Sequence, residues 1–190
     1  MENPMAQGEP RRIGITVSIK PHAYDPVRDW ERFEQVLPRR LLAFAIDLAV
    51  ILAPVALVTV LIILIGFITL GLGWGLFSLL YPGTAVWALV YYGATLGHPA
   101  SATLGMRAMQ IELRTWYGAP CSFLVGALHA VAFYVSISAL TPLVLVVGFF
   151  NVRQRLLHDV VLGAVVINNG HRAAALRRSG LVKANPQAMI

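Results

Sequence analysis

The chain has 190 residues, of which 57% are apolar and only 13% charged, with a net charge of +6 and a mean hydropathy of +0.69. A soluble domain of this size would carry roughly a quarter charged residues, so an ordinary water-soluble fold is excluded. The Lys and Arg residues flank apolar stretches instead of forming one basic face, which argues against nucleic acid and for membrane-flanking charge. Anionic lipid headgroups are the expected electrostatic partner.

Residues 1–37 read as a polar, proline-punctuated tail on the cytoplasmic side. A short helix over Pro26–Leu37 is expected from the spacing of Trp30, Phe33, Val36 and Leu37, and the weak alternation of Ile13–Ile19 suits a strand. The first span is expected from about Arg40 to Ile65, long enough to cross about 30 Å of hydrocarbon, with Pro54 kinking it. It reads as a retained span and not as a cleaved leader.

From Leu41 to Met106 the only formally charged side chain is Asp47. An acid in such a run costs roughly 2.5–3.5 kcal/mol on insertion scales, so it needs a partner, water or a charge-moving role. Arg40 lies seven residues earlier, on the same helix face but about 10 Å away along the axis. Direct pairing is therefore not expected, and Arg40 is placed to snorkel to the headgroups. The small Ala43 between them leaves room for an incoming side chain. The expected donors for Asp47 are Arg107, Arg153 or Arg155.

Gly66–Gly75 is an uncharged connection, and its glycines suit a turn or close helix packing, not a nucleotide loop. A second span follows over Trp74–Leu96, with Trp74, Tyr91 and Tyr92 read as interfacial aromatics. The Gly97–Pro120 loop carries Arg107 and Arg114, which places it in the cytoplasm with the amino terminus. Within it, Ala108–Arg114 alternates as a strand does, and Met109–Leu113 is expected to pair with Ala164–Ile167 as a two-stranded cytoplasmic element.

Ser122–Phe150 is a further uncharged block, broken at Thr141–Pro142 and read as interfacial or partly inserted. His129 within it reads as a neutral core histidine, and Ser136 and Ser138 as donors to helix carbonyls. In Asn151–Asn169, Arg153, Arg155, His158 and Asp159 precede an apolar run, and Asp159 is expected to cap or orient the last helix. The basic stretch 170–190 reads as a disordered tail. A single cysteine, Cys121, excludes an intramolecular disulfide, and the histidine spacings match no metal motif. No nucleophile–base arrangement, metal ion or cofactor is expected, and the chain does not read as an enzyme.

Three signatures occur in order: Arg40-Leu-Leu-Ala-Phe-Ala-Ile-Asp47, then Thr103-Leu-Gly-Met-Arg107 with Gly118-Ala-Pro120, then Arg155-Leu-Leu-His158-Asp159-Val-Val-Leu-Gly163. Together they resemble the RDD family of small prokaryotic membrane proteins, named for one arginine and two aspartates. By that resemblance Arg40, Asp47 and Asp159 are the naming residues, and Pro38–Asn169 is the family domain. Three positions depart from the pattern: Met106 stands where a lysine is usual, His129 where an arginine often stands, and Ala164 after Gly163 where a threonine is usual. The resemblance implies an all-α bundle of three to four membrane helices in a bacterial inner membrane. It implies solute or cation/proton transport as one role, which a thin bundle would perform as a homo-oligomer. A non-catalytic scaffold held together by the same three residues is the other.

Overall fold

The computed structural model describes residues 22–140 and 153–184. Its longest element is α1, Val36–Ile68, a helix of 33 residues and therefore about 50 Å long. It begins four residues before the expected Arg40, because Pro38 falls in the first turn, where a missing N–H costs nothing. The helix continues through Pro54. Val36, Ala43, Asp47, Ile51, Ile62 and Gly66 form its buried stripe, at spacings of four, seven and eleven residues that keep one face inward. The other faces are exposed: Leu41, Leu57 and Phe67 are 64%, 62% and 67% accessible.

A tight turn reverses the chain. Gly71 takes a left-handed φ of 100°, and Gly73 rests on the Ile65–Gly66 backbone, leaving no space for a Cβ. A 3-10 turn at Leu72–Leu76 leads into α2, Phe77–Leu96. The two helical runs, ending at Ile68 and spanning Leu72–Leu96, are long and apolar enough to cross a bilayer. The carboxyl end of α2 packs on α4, Phe123–Leu140, through Gly93, Gly97 and Gly126, each of which faces the opposite helix too closely for a side chain. Gly93-x-x-x-Gly97 is the small-residue spacing that lets helix backbones approach. Tyr91 and Tyr92 are buried, 6% and 8% exposed, and not interfacial as their position near the span end suggested; Tyr92 meets Tyr134 of α4 edge-on.

Beyond the amino end of α1 sits a small polar head. Helix α3, Leu104–Ala108, runs into β1, Ile111–Thr115, which pairs antiparallel with β2, Ala164–Asn168, in the register Ile111↔Asn168 to Thr115↔Ala164. The expected strand pair therefore exists, with β1 two residues later than Met109–Leu113. Met109 and Gln110 still belong to the α3 exit, where Gln110 turns at φ 58°. One face of β2 joins the main core with Ile111 and Leu113, while Val165 and Ile167 pack on Phe33.

Phe33 belongs to the amino-terminal segment, which was expected to be a tail with a helix over Pro26–Leu37. Only a 3-10 turn, Trp30–Arg32, forms there. The segment nevertheless docks: Asn168 Nδ2 donates to the carbonyls of Glu31 and Glu34 at 2.8 and 2.9 Å, and Ala23 N–H donates to the Trp116 carbonyl. Residues 170–184, expected to belong to a disordered tail, form a helix instead, and 185–190 lie outside the described residues. Helix α6, Gly170–Ala184, lies beside this segment, with Arg177 paired to the buried Glu31 and Gly180 against Trp30. Between α4 and β2 comes α5, Leu157–Val161. The Ile13–Ile19 strand and the break at Thr141–Pro142 lie outside the described residues.

Asn168→Ala leaves two segment carbonyls without their donor, a loss of about 1–2 kcal/mol. The expected result is about tenfold faster trypsin cleavage at Arg28 and Arg32, with cleavage at other sites unchanged.

Candidate functional site

Two clusters of buried polar groups lie on one face of α1, at two levels, one around Asp47 and one around Arg40. At the deeper level, Asp47 is 3% exposed and accepts three hydrogen bonds. Tyr91 Oη donates to Oδ1 at 2.6 Å, Thr103 Oγ1 to Oδ2 at 2.6 Å, and Gly105 N–H to Oδ1 at 2.8 Å. The donors are held in turn: Tyr91 Oη accepts from Leu104 N–H at 3.3 Å, and Thr103 Oγ1 from Met106 N–H at 3.1 Å. Thr103 is thus the N-cap of α3, and Asp47 sits over the free N–H groups that open that helix. The approach depends on Gly105, where a methyl group would collide with the Ala43 carbonyl. Ala43 makes room for incoming backbone, not for a side chain.

This corrects the expectation of an arginine partner. Arg107 Nε donates to the Ala102 carbonyl at 3.1 Å. Arg155 donates to the carbonyls of Ala164 and Asp159 at 2.9 and 3.0 Å and lies 4.6 Å over the Trp116 ring. Arg153 lies 5.9 Å over the same ring. None is in ion-pair contact with Asp47. Two hydroxyls and one amide donate to both of its oxygens instead, which lets a buried carboxylate be satisfied without a counter-charge.

The second cluster lies nearer the amino end of α1. Arg40 grips Asp159 in a bidentate pair, NH1 to Oδ2 at 2.5 Å and NH2 to Oδ1 at 3.1 Å. Asp159 is fully buried and the Arg40 side chain is 11% exposed. Arg40 therefore does not snorkel: a guanidinium fork meeting a carboxylate out of water is the stronger arrangement. Asp159 Oδ2 also accepts the Leu156 N–H at 2.9 Å, capping α5 from its third position. This is the capping role expected of Asp159. The N-cap residue Leu156 has no acceptor of its own to return the bond.

Two histidines complete this cluster. His158 Nε2 lies 3.4 Å and His129 Nε2 3.7 Å from Asp159 Oδ1, and their rings meet edge-on at 4.9 Å. The Nδ1 atoms of both are buried without a partner. Burial holds the His158 pKa down at about 3, with His129 and Arg40 adding to the effect and Asp159 opposing it. For Asp159, burial alone would raise the pKa, but the Arg40 guanidinium and the two imidazoles hold it well below the usual carboxylate range.

One donor atom from each of His129, His158 and Asp159 falls within 4.8 Å of the others, which resembles three ligands of a metal site. A transition metal needs each ligand at about 2.0–2.2 Å. At Oδ1 it would stand against the Arg40 nitrogen already 3.1 Å from that oxygen. Arginine supplies the positive charge a metal would bring, and the residues fit a neutral Arg–Asp pair with two neutral imidazoles.

Sequence reasoning named Arg40, Asp47 and Asp159 but missed Tyr91, Thr103 and Gly105, the three that hold Asp47. The available signal was Thr103-x-Gly105 ahead of a short helix, an N-cap followed by exposed amides. It also missed Gln154, whose Oε1 accepts Leu37 N–H at 2.9 Å. Of the two serines, Ser136 donates to the Ala132 carbonyl at 2.6 Å, as expected.

Compared with known proteins, residues 36–163 match the model of the RDD family. No curated protein and no solved structure matches the chain.

Proposed function

Because the chain belongs to the RDD family, we propose that it is an integral membrane protein of the bacterial inner membrane that works as a non-catalytic scaffold. In this reading α1 and α2 cross the bilayer as a hairpin, and the head with both chain ends is cytoplasmic. Arg40, Asp47 and Asp159 are architectural. The observation that carries the scaffold reading is the sealing of both carboxylates: Asp47 by donors from α2 and α3, Asp159 by α1 and the α5 entrance. The two acids lie in separate clusters and share no hydrogen-bond partner among the described residues.

The membrane reading draws on the helix surfaces. A helix apolar all round must be covered by something apolar, and α1 and α2 present Leu57, Phe67, Ile68 and Leu79 outward at 62–81% exposure. Hydrocarbon is the cover that suits two such helices. A cysteine at Leu70, 96% exposed in the α1–α2 turn, is expected to react with an impermeant maleimide from outside the cell. One at Tyr117, beyond β1, is expected to react only after permeabilisation. The reverse pattern, or equal labelling, would overturn the orientation.

Transport is the second reading, favoured by the unpartnered Nδ1 atoms of His129 and His158 beside the ion pair. The two readings part on Asp47→Asn. A scaffold loses function only in proportion to lost folded protein. A carrier loses cation or proton flux in reconstituted vesicles while remaining folded.

A further inference from the structure

Four described arginines, Arg32, Arg40, Arg114 and Arg177, each pair with an acid. Arg39 and Arg172 do not, and the chain holds them near each other. Arg39 NH1 donates to the Met109 carbonyl at 2.7 Å. Arg172 stands in the first turn of α6, where its N–H is capped by Asn169 Oδ1 at 3.0 Å, and Asn169 N–H donates to the Gln110 carbonyl at 2.9 Å. Met109 and Gln110 are neighbours, so both arginines are tied to the same turn, and their charges act on one another. The remaining contact of the Arg172 guanidinium is a 3.4 Å bond to exposed Gln35. The Nε atoms of Arg39 and Arg172 are both buried without an acceptor among the described residues.

Two like charges fixed together without an acid are costly unless an anion joins them, and a planar guanidinium is well matched to phosphate oxygens. The amino end of α6 adds its unpaired N–H groups and the positive end of its dipole. The height of the pair along α1 indicates which anion it meets. Leu41 and Leu42, just beyond Arg40, are 64% and 55% exposed, and Leu104 on α3 is 46% exposed. Arg39 therefore sits less than a turn outside the first residues suited to hydrocarbon, at headgroup depth if α1 spans the bilayer.

We propose that Arg39 and Arg172, with the amino terminus of α6, bind one phosphate group, and that this group is the headgroup phosphate of an anionic phospholipid. The site would fix the head against the cytoplasmic leaflet and couple α6 to lipid composition. This inference rests on the membrane reading above.

The test uses the full chain purified in non-ionic detergent, with binding of phosphatidylglycerol and phosphatidylcholine followed by native mass spectrometry. Wild type is expected to retain phosphatidylglycerol over phosphatidylcholine. Arg39→Gln/Arg172→Gln should lose about fivefold in that preference per arginine, roughly 25-fold for the pair. Arg28→Gln/Arg178→Gln, which removes the same charge elsewhere, should keep it, as should the Arg39→Lys/Arg172→Lys pair to within a few-fold. Millimolar inorganic phosphate should compete with the lipid on wild type. Equal losses in the site and control variants would overturn the site, as would no loss in either. Phosphate bound by wild type without any lipid preference would overturn the lipid as its source. Should the Gln variants not fold, the lysine pair and phosphate competition on wild type decide the matter. Failure of the membrane reading shows separately, as release of every variant from membranes by alkaline carbonate.

Discussion

Asp47→Leu is expected to destabilise the folded chain by about 3–6 kcal/mol, because it strands three buried donors at ~1–2 kcal/mol each. Those donors are Tyr91 Oη, Thr103 Oγ1 and Gly105 N–H. Asp47→Asn keeps one acceptor but turns an NH₂ toward groups that themselves donate, so an intermediate loss of about 1–3 kcal/mol is expected. The loss should be local before it is global. Amide exchange should accelerate first at Gly105 and Met106, whose N–H groups are held by Asp47 and the Thr103 cap. Equilibrium unfolding in mixed micelles, with exchange read residue by residue, checks both the size and the order. Equal stability of wild type and Asp47→Leu would mean the network does not hold α3 to α1.

The same cluster shows why some of this fold is legible in sequence and some is not. The long apolar helices follow from composition alone, since an uncharged run from Leu48 to Met106 has few other solutions. The strand pair follows from alternation at Ile111 and Leu113 and from the β-branched run Val165–Ile167. Strand β1 starts two residues later than expected because periodicity does not reveal where the turn at Gln110 ends. Pairing across the chain is not a local property. Tyr91 looks interfacial because aromatic residues near span ends commonly are. It is buried because its hydroxyl is drawn between α1 and the start of α3, donating to Asp47 and accepting from Leu104 N–H. Charge counting predicted arginine at Asp47 because it scans for opposite charges, whereas hydroxyls and an N-cap amide satisfy a carboxylate equally well. The amino-terminal segment and α6 look like tails because each is polar. Each is ordered by the other, through Glu31 with Arg177 and Trp30 with Gly180.

The Arg40–Asp159 pair carries the other large effect. Arg40→Leu leaves Asp159 charged and fully buried with its main partner gone, a loss expected at about 3–5 kcal/mol. Asp159→Leu should cost comparably, since it also removes the α5 cap at Leu156 N–H. The double variant Arg40→Leu/Asp159→Leu is expected to regain most of the loss, because two apolar groups replace an ion pair without stranding either charge. Non-additivity of that kind is what a direct pair produces. Acid provides an independent check through the same groups. The folded pKa of His158 lies at about 3, against about 6.5 unfolded. Its contribution is therefore complete above pH ~6.5 and is lost as pH falls toward the folded value. The Asp159 carboxyl, held below its ordinary range by Arg40, contributes fully above about pH 4 and loses that contribution only at lower pH. Stability should consequently fall in two stages on acidification. His158→Gln should shrink, without abolishing, the stage between about pH 6.5 and 4, because burial also holds His129 and His22 down to about 4 and they share it. Arg40→Leu should remove the Asp159 stage, because without the guanidinium burial raises that carboxyl's pKa instead of lowering it. A single unfolding-midpoint curve shared by wild type and His158→Gln across that range would show that the buried imidazole is not what links this cluster to pH.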